Sequence, residues 1–171
     1  DLLFLDIEMQ ELNGFELAAK IQETAPDILI IFVSAYESYV YKSFEFRPFR
    51  FIPKQQMESM ITQALEAAFR KIVYIWREGK YLYIEKTDAT RCKVRSSLKK
   101  ISEKLPEDEF VWVDRGYLCN LYHVIQIKDN QMVLSTGQQL YIGERRLAQL
   151  KHRIMEYWQA GTDNGKWSTN D

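Results

Sequence analysis

Apolar positions in the first seventy residues recur in two alternating patterns. Leu2 to Leu5 and Ile28 to Val33 are unbroken apolar runs, as expected of strands buried on both faces. Between them, Gly14 to Glu23 sets Phe15, Ala18, Ala19 and Ile21 at helical spacing, and Ala25-Pro26-Asp27 ends that helix. Tyr36 to Phe46 predicts an aromatic-rich helix closed by Arg47-Pro48, and Phe49 to Pro53 a third short strand. Met57, Met60, Ile61, Ala64, Leu65 and Ala68 then line one face of a further helix. Three strand–helix units in a row predict a parallel α/β sheet over residues 1–70.

Beyond residue 70 the period changes to two. Tyr81, Tyr83 and Glu85 alternate with Leu82 and Ile84, and Ile125 and Ile127 with Gln126 and Lys128; short runs follow at Met132 to Leu134 and Gln139 to Ile142. Turn signals stand between them at Glu78-Gly79, Asp129-Asn130 and Thr136-Gly137. Short helices are predicted at Ser97 to Leu105, closed by Pro106, and at Glu144 to Trp158. Residues 71–160 therefore read as a mostly β domain, and 161–171, rich in Gly, Thr, Asn and Asp, as a disordered tail. The chain opens on Asp1 and a strand-like run rather than on Met, as a piece of a longer protein would.

Charge divides the chain the same way. The total is -1, but residues 1–70 carry 11 acidic and 6 basic side chains, and residues 71–160 carry 11 acidic and 16 basic. An acidic half followed by a basic half suits a regulatory module joined to a binder of polyanions. No apolar run is long enough to span a bilayer, so no membrane partner is expected. Cys92 and Cys119 are too few for a disulfide scaffold or a zinc site, which points to a reducing, cytoplasmic setting.

In the first half, Asp6, Ser34 and Lys54 each end a predicted parallel strand, the rim where α/β sheets bind ligands. A carboxylate nucleophile beside a hydroxyl and an ammonium is a set of groups that can accept and hold a phosphoryl group. Leu3-Phe4-Leu5-Asp6-Ile7-Glu8-Met9, Asn13-Gly14-Phe15-Glu16-Leu17, Val33-Ser34-Ala35 and Phe49-Arg50-Phe51-Ile52-Pro53-Lys54 resemble the receiver domain of response regulators. The resemblance implies a flavodoxin-like fold, with Asp6 as phosphoacceptor, Ser34 and Lys54 binding the phosphoryl group and Phe51 as switch aromatic. It further implies a sensor histidine kinase as partner, and Mg²⁺ held by Asp6 and the backbone carbonyl of Glu8. Only the last three of a receiver's five strand–helix units are present, and the acidic pair that supplies most of the Mg²⁺ site belongs to the others. The first half therefore reads as an incomplete receiver, with no Mg²⁺ expected in this chain. A phosphotransferase of the haloacid dehalogenase kind would need Asp at position 8, where Glu8 stands; no enzyme is expected.

In the second half, Gly79-Lys80-Tyr81-Leu82-Tyr83-Ile84, Val94-Arg95-Ser96-Ser97-Leu98, Phe110 through Asn120 and Ile142-Gly143-Glu144-Arg145-Arg146 resemble the LytTR DNA-binding domain. The resemblance implies an elongated β sandwich that binds promoter DNA by inserting loops into the grooves, with Lys80, Arg115, Arg145 and Arg146 as contacts. Asn120 reads as a backbone-capping side chain and Cys119 as core. His123 and His152 lack the partners of a metal site, and the rings around Trp76, Tyr81, Tyr83, Trp112 and Tyr117 read as core rather than a base-stacking platform. Asp114 and Glu144 stand where the family is often basic, and would weaken phosphate binding unless paired. The expected function is that of a response-regulator fragment that binds promoter DNA under control of phosphorylation at Asp6, with the phosphorylation expected of the complete receiver and not of this fragment, and a homodimer possible. The alternative is a truncated, non-phosphorylatable interaction module that dimerises or sequesters partners.

Overall fold

A computed structural model describes residues 1–9 and 12–163. The chain divides into two compact units, Asp1–Ala68 and the remainder from Phe69.

In the first unit, β1 (Leu2–Asp6), β2 (Leu29–Ser34) and β3 (Arg50–Pro53) form a parallel sheet in that order. Helix α1 (Gly14–Thr24) packs one face through Phe15 and Ala18 against Leu5, Ile30 and Phe32. Helix α3 (Met57–Phe69) covers the other, where Ala64 and Met60 meet Ile31 and Ile52. Both faces are thus buried, which is why β2 carries no polar alternation. The helix expected over residues 36–46 is shorter: α2 (Tyr39–Ser43) tightens into a 3-10 turn at Phe44–Phe46. Arg47 then takes a left-handed conformation (φ 42°) ahead of Pro48, whose ring disfavours continuing the helix.

In the second unit, β4 (Ile72–Glu78), β5 (Tyr81–Lys86), β6 (Arg91–Val94), β7 (Phe110–Trp112) and β8 (Tyr117–Asn120) form an antiparallel sheet in the order β6-β5-β4-β8-β7. Strands β9 (Val124–Lys128), β10 (Gln131–Leu134) and β11 (Gln139–Tyr141) form a second sheet. Tyr74 and Cys119 on the first sheet meet Val124, Met132, Leu134, Leu140 and Ile142, and helix α5 (Glu144–Asp163) closes this core with Leu150 and Ile154. The opposite face of the five-stranded sheet, with Ile75, Leu82 and Leu118, is covered by Leu98 of the short helix α4 (Leu98–Ser102) and by Ile101, Leu105 and Phe69.

Glu78 pairs with Tyr81 across Gly79-Lys80, and Lys128 with Gln131 across Asp129-Asn130. Gly79 and Asp129 hold the positive φ that two-residue turns demand. Helix α4 stops at Ser102, short of the expected Leu105. Helix α5 runs past the expected Trp158 to Asp163, so residues 161–163 are helical rather than a disordered tail; 164–171 lie outside the described residues. Extending a formed helix fixes one residue per hydrogen bond gained, so a polar stretch can follow a well-packed one. The aromatic residues do not share a core. Trp76 and Tyr117 border the inter-sheet core and Trp112 the α4 side, while Tyr81 is exposed with the Lys93 ammonium 4.0 Å from its ring centroid.

Candidate phosphoryl rim and candidate nucleic-acid interface

Parallel pairing sets Asp6 beside Val33 and Ser34 beside Pro53, so Asp6, Ser34 and Lys54 end three neighbouring strands at one rim. Lys54 Nζ donates to Asp6 Oδ2 at 2.6 Å, and the Glu8 amide donates to Oδ1 at 3.1 Å. Ser34 is fully buried, and its Oγ accepts from the Tyr36 amide at 3.0 Å. Phe51, half-buried, packs on the α1 side of the sheet. The rim closes over Gly14, whose amide donates to the Ile7 carbonyl at 3.0 Å. Asn13 caps α1 by accepting from the Phe15 amide at 2.9 Å.

Burial works to raise the Asp6 carboxyl. The hydrogen bonds from Lys54 and the Glu8 amide, with the attraction of the ammonium, outweigh it and hold the carboxyl below its ordinary value. The same hydrogen bond raises the Lys54 ammonium. The sign follows for each partner. Stability from the depressed carboxyl is present above the ordinary carboxylate range and is lost as pH falls through its lowered value; stability from the raised ammonium is present below the ordinary lysine range and is lost as pH rises through its raised value. Both side chains are over a third exposed, so solvent and salt screen the pair. Replacing Lys54 with Met leaves burial less opposed, and carboxyl-carbon NMR is expected to show Asp6 titrating at higher pH. An unmoved titration would show that the pair does not form in solution.

Mg²⁺ prefers six oxygens in near-octahedral array. Among the described residues the rim offers the Asp6 carboxylate, both of whose oxygens are engaged, with Glu8 beside it. Among the described residues no three His, Cys, Asp or Glu side chains gather as a metal site. These residues do not by themselves fit the ion.

In the second unit, antiparallel pairing carries Lys80 and Arg115 to one end of the five-stranded sheet. Tyr117 pairs with Trp76, and the Arg77 amide donates to the Gly116 carbonyl at 2.9 Å, so the 114–116 loop adjoins the Gly79-Lys80 turn. The turn and the loop lie two strand spacings apart, about 10 Å. Arg146 Nη1 donates to the Trp112 carbonyl at 3.1 Å, which ties the start of α5 to β7 just below the same loop. Its guanidinium has donors to spare. Arg145, beside it, is exposed, and Glu144 in the first turn of α5 complements the helix dipole that the two arginines oppose. Asp114 Oδ1 accepts from the Gly116 amide at 2.6 Å, a bond that engages the side chain without cancelling the charge expected to repel phosphate.

Two exposed basic residues at this end escaped the sequence reading, Arg77 on β4 and Arg95 after β6. Val94 pairs with Leu82, so exposed Arg95 follows β6 out at the level of Tyr81, toward the Lys80 end. The signal was there, in the basic residue directly after a strand, but which end β6 reaches is a matter of pairing.

The remaining polar residues hold the fold. Asn120, fully buried, donates from Nδ2 to the carbonyls of Phe69 (3.1 Å) and Ile72 (3.0 Å) and accepts at Oδ1 from the Tyr122 amide (3.0 Å). His123 is buried between the Ser135 hydroxyl (2.9 Å) and the Arg70 carbonyl (2.7 Å), and burial lowers its pKa. Cys119 is fully buried and its thiol is pushed up by desolvation, which suits core and not redox chemistry. His152 is exposed on α5, 3.5 Å from Glu156.

Comparison with known proteins places two family descriptions on the chain. The LytTr DNA-binding domain matches residues 63–155, more than half the length, and the response regulator receiver domain matches residues 1–66. The two matches overlap, leaving no intervening linker. The chain is 24% identical to the sensory transduction protein LytT of Enterococcus faecalis, over 90% of this chain and 79% of that one. It is 26% identical to the sensory transduction protein LytR of Streptococcus mutans, over 90% of this chain and 57% of that one. A solved LytTr DNA-binding domain of a response regulator from Bacillus cereus covers 50% of this chain and 83% of its own at 18% identity, with a TM-score of 0.47. No helix among the described residues is long and apolar enough to cross a membrane.

Proposed function

Because this chain belongs to the LytTR DNA-binding domain family and carries a response-regulator receiver domain ahead of that module, we propose that it binds promoter DNA through loops at one end of its five-stranded sheet, under control of phosphorylation at Asp6. The observation that carries the reading is the gathering of Lys80 and Arg115 at that end, with Arg146 anchored below them. Their spacing of about 10 Å matches a major groove about 12 Å wide. Arg115 is the base reader, because a guanidinium fork fits guanine O6 and N7. Arg145 reads beside it, and Lys80, Arg146 and Arg95 neutralise phosphates on either side. The protein acts by binding rather than by turnover.

At the acidic unit, Asp6 is the phosphoryl acceptor and a sensor histidine kinase the donor. Lys54 holds the phosphoryl oxygens, Ser34 joins it by turning its buried Oγ from the Tyr36 amide toward the rim, and Phe51 is the aromatic that responds. An incoming phosphoryl group competes with Asp6 for the Lys54 ammonium and would break the 2.6 Å ion pair.

The test is a binding titration of the full chain against duplexes from upstream of its own gene and against random duplexes, at two salt concentrations. Specific binding is expected to weaken steeply with salt. Arg115→Ala and Arg145→Ala are each expected to lose about 1–3 kcal/mol of discrimination, whereas Lys80→Ala should weaken both kinds of duplex alike. Equal affinity for every duplex, unmoved by either arginine change, would defeat the proposal.

A further inference from the structure

A loop that reads bases must hold its reader still before the duplex arrives, because ordering a long side chain on binding costs affinity. The loop carrying Arg115 has three residues, and every neighbouring fixed point is backbone. The Val113 amide donates to the Tyr117 carbonyl at 3.0 Å and closes the hairpin. The Gly116 carbonyl accepts from the Arg77 amide at 2.9 Å, which joins the loop to β4 one residue before the Glu78-Gly79-Lys80 turn. The Gly116 amide donates in turn to Asp114 Oδ1 at 2.6 Å, a bond that spans Arg115 itself. Asp114 is exposed, and among the described residues this bond to the Gly116 amide is the side-chain hydrogen bond it makes. We infer that Asp114 is a positioning residue for base reading by Arg115, its carboxylate folding the Asp114-Arg115-Gly116 turn that aims the guanidinium. The inference rests on the reading of Arg115 as a DNA contact.

Two effects of one carboxylate can be separated. Its charge repels phosphate and lowers affinity for every duplex alike. Its oxygen fixes the turn and acts on the specific duplex alone. Asp114→Asn removes the charge and keeps an acceptor for the Gly116 amide, a substitution that side-chain turns of this kind accommodate. Asp114→Ala removes both.

The experiment measures affinity of the full chain for specific and random duplexes together with hydrogen exchange of the Gly116 amide. Asp114→Ala is expected to lower the specific-to-random ratio by about tenfold, while Asp114→Asn keeps it within about threefold and raises both affinities. Gly116 exchange should be slow in the wild type and in Asp114→Asn, and fast in Asp114→Ala. In an Arg115→Ala background, Asp114→Ala should cost no further discrimination, since the two residues act as a unit. Equal impairment by Asn and Ala, or additive losses in the double variant, would overturn the inference. A wild-type chain that prefers no duplex defeats the underlying DNA reading instead. In that chain, slow Gly116 exchange lost only with Ala would still uphold the fixed turn, and fast exchange in the wild type would overturn it.

Discussion

Gly14→Ala is expected to destabilise the first unit by about 3 kcal/mol, the upper end of what overpacking usually costs. A Cβ built on Gly14 would stand 2.3 Å from the Asp6 carbonyl oxygen and 2.7 Å from the Ile7 Cα. Both are backbone atoms of the strand end that presents the candidate phosphoacceptor, so no side chain can swing aside to relieve the contact. The backbone angle at Gly14 is not in the left-handed region; the requirement is for space alone. Helix propensity works the other way, because Ala extends a helix better than Gly by up to about 1 kcal/mol. That gain is smaller than the steric cost, and a helix's first residue collects little of it.

The measurement is an equilibrium urea titration of wild type and variant, read by carboxyl-carbon NMR at Asp6 as well as by circular dichroism. The midpoint should fall, and the Asp6 titration should move toward the ordinary carboxylate range as the loop lifts Asp6 away from Lys54. An unchanged midpoint would mean that Asp6 and Ile7 do not approach Gly14 in solution as closely as these distances require.

What the sequence disclosed about the two units follows from how far each signal travels along the chain. The parallel sheet was legible because β2 is buried on both faces and therefore apolar without a break, and because α1 and α3 each keep a full apolar face. The rim was legible for a related reason. A residue at the end of a buried run is at a strand's end, and parallel strands put their ends together, so Asp6 and Lys54 meet although they are far apart in sequence.

Strands β6 and β8 were harder to read. In β6, Arg91-Cys92-Lys93-Val94 alternates over only four residues, and β8 is so thoroughly covered that its alternation disappears. Trp76, Tyr117 and Trp112 do pack against buried core, as read from the sequence, while Tyr81 is exposed; ring content signals burial but not which face of a strand is buried. Register decides that, sending Trp112 to the α4 side and Trp76 toward the inter-sheet core. The bond from Arg146 to Trp112 was likewise invisible, since it depends on where α5 starts relative to β7. Asp114 carries a local turn signal, an Asp two residues before a Gly, beside the charge that marks it as unfavourable to phosphate.

Asn120 shows how a correct residue role can leave its largest consequence unseen. Capping was expected, and Oδ1 does accept from the Tyr122 amide; the Nδ2 partners, Phe69 and Ile72, come from some fifty positions earlier in the chain. Asn120→Ala is expected to cost about 4 kcal/mol, because it strands two carbonyls and an amide at a site with no exposed surface, and each buried polar group left unpaired costs about 1–3 kcal/mol. Partial entry of water is the reason for choosing the lower part of that sum. Asn120→Asp separates the donor from the acceptor. The introduced carboxyl keeps the Tyr122 bond, but when ionised it faces two carbonyl oxygens, and burial together with that repulsion raises its pKa in the folded state above the unfolded value. A group raised in this way contributes stability that is fully present below its unfolded pKa and lost as pH rises through the folded one. The Asp variant should therefore lie closest to wild type near pH 4 and fall away toward pH 7, whereas the Ala variant should keep a constant deficit across that range. Chemical denaturation of both variants at the two pH values tests this. A pH-independent Asp variant would mean that water reaches the Phe69 and Ile72 carbonyls, and that β8 is not held at its Asn120 end by the amide.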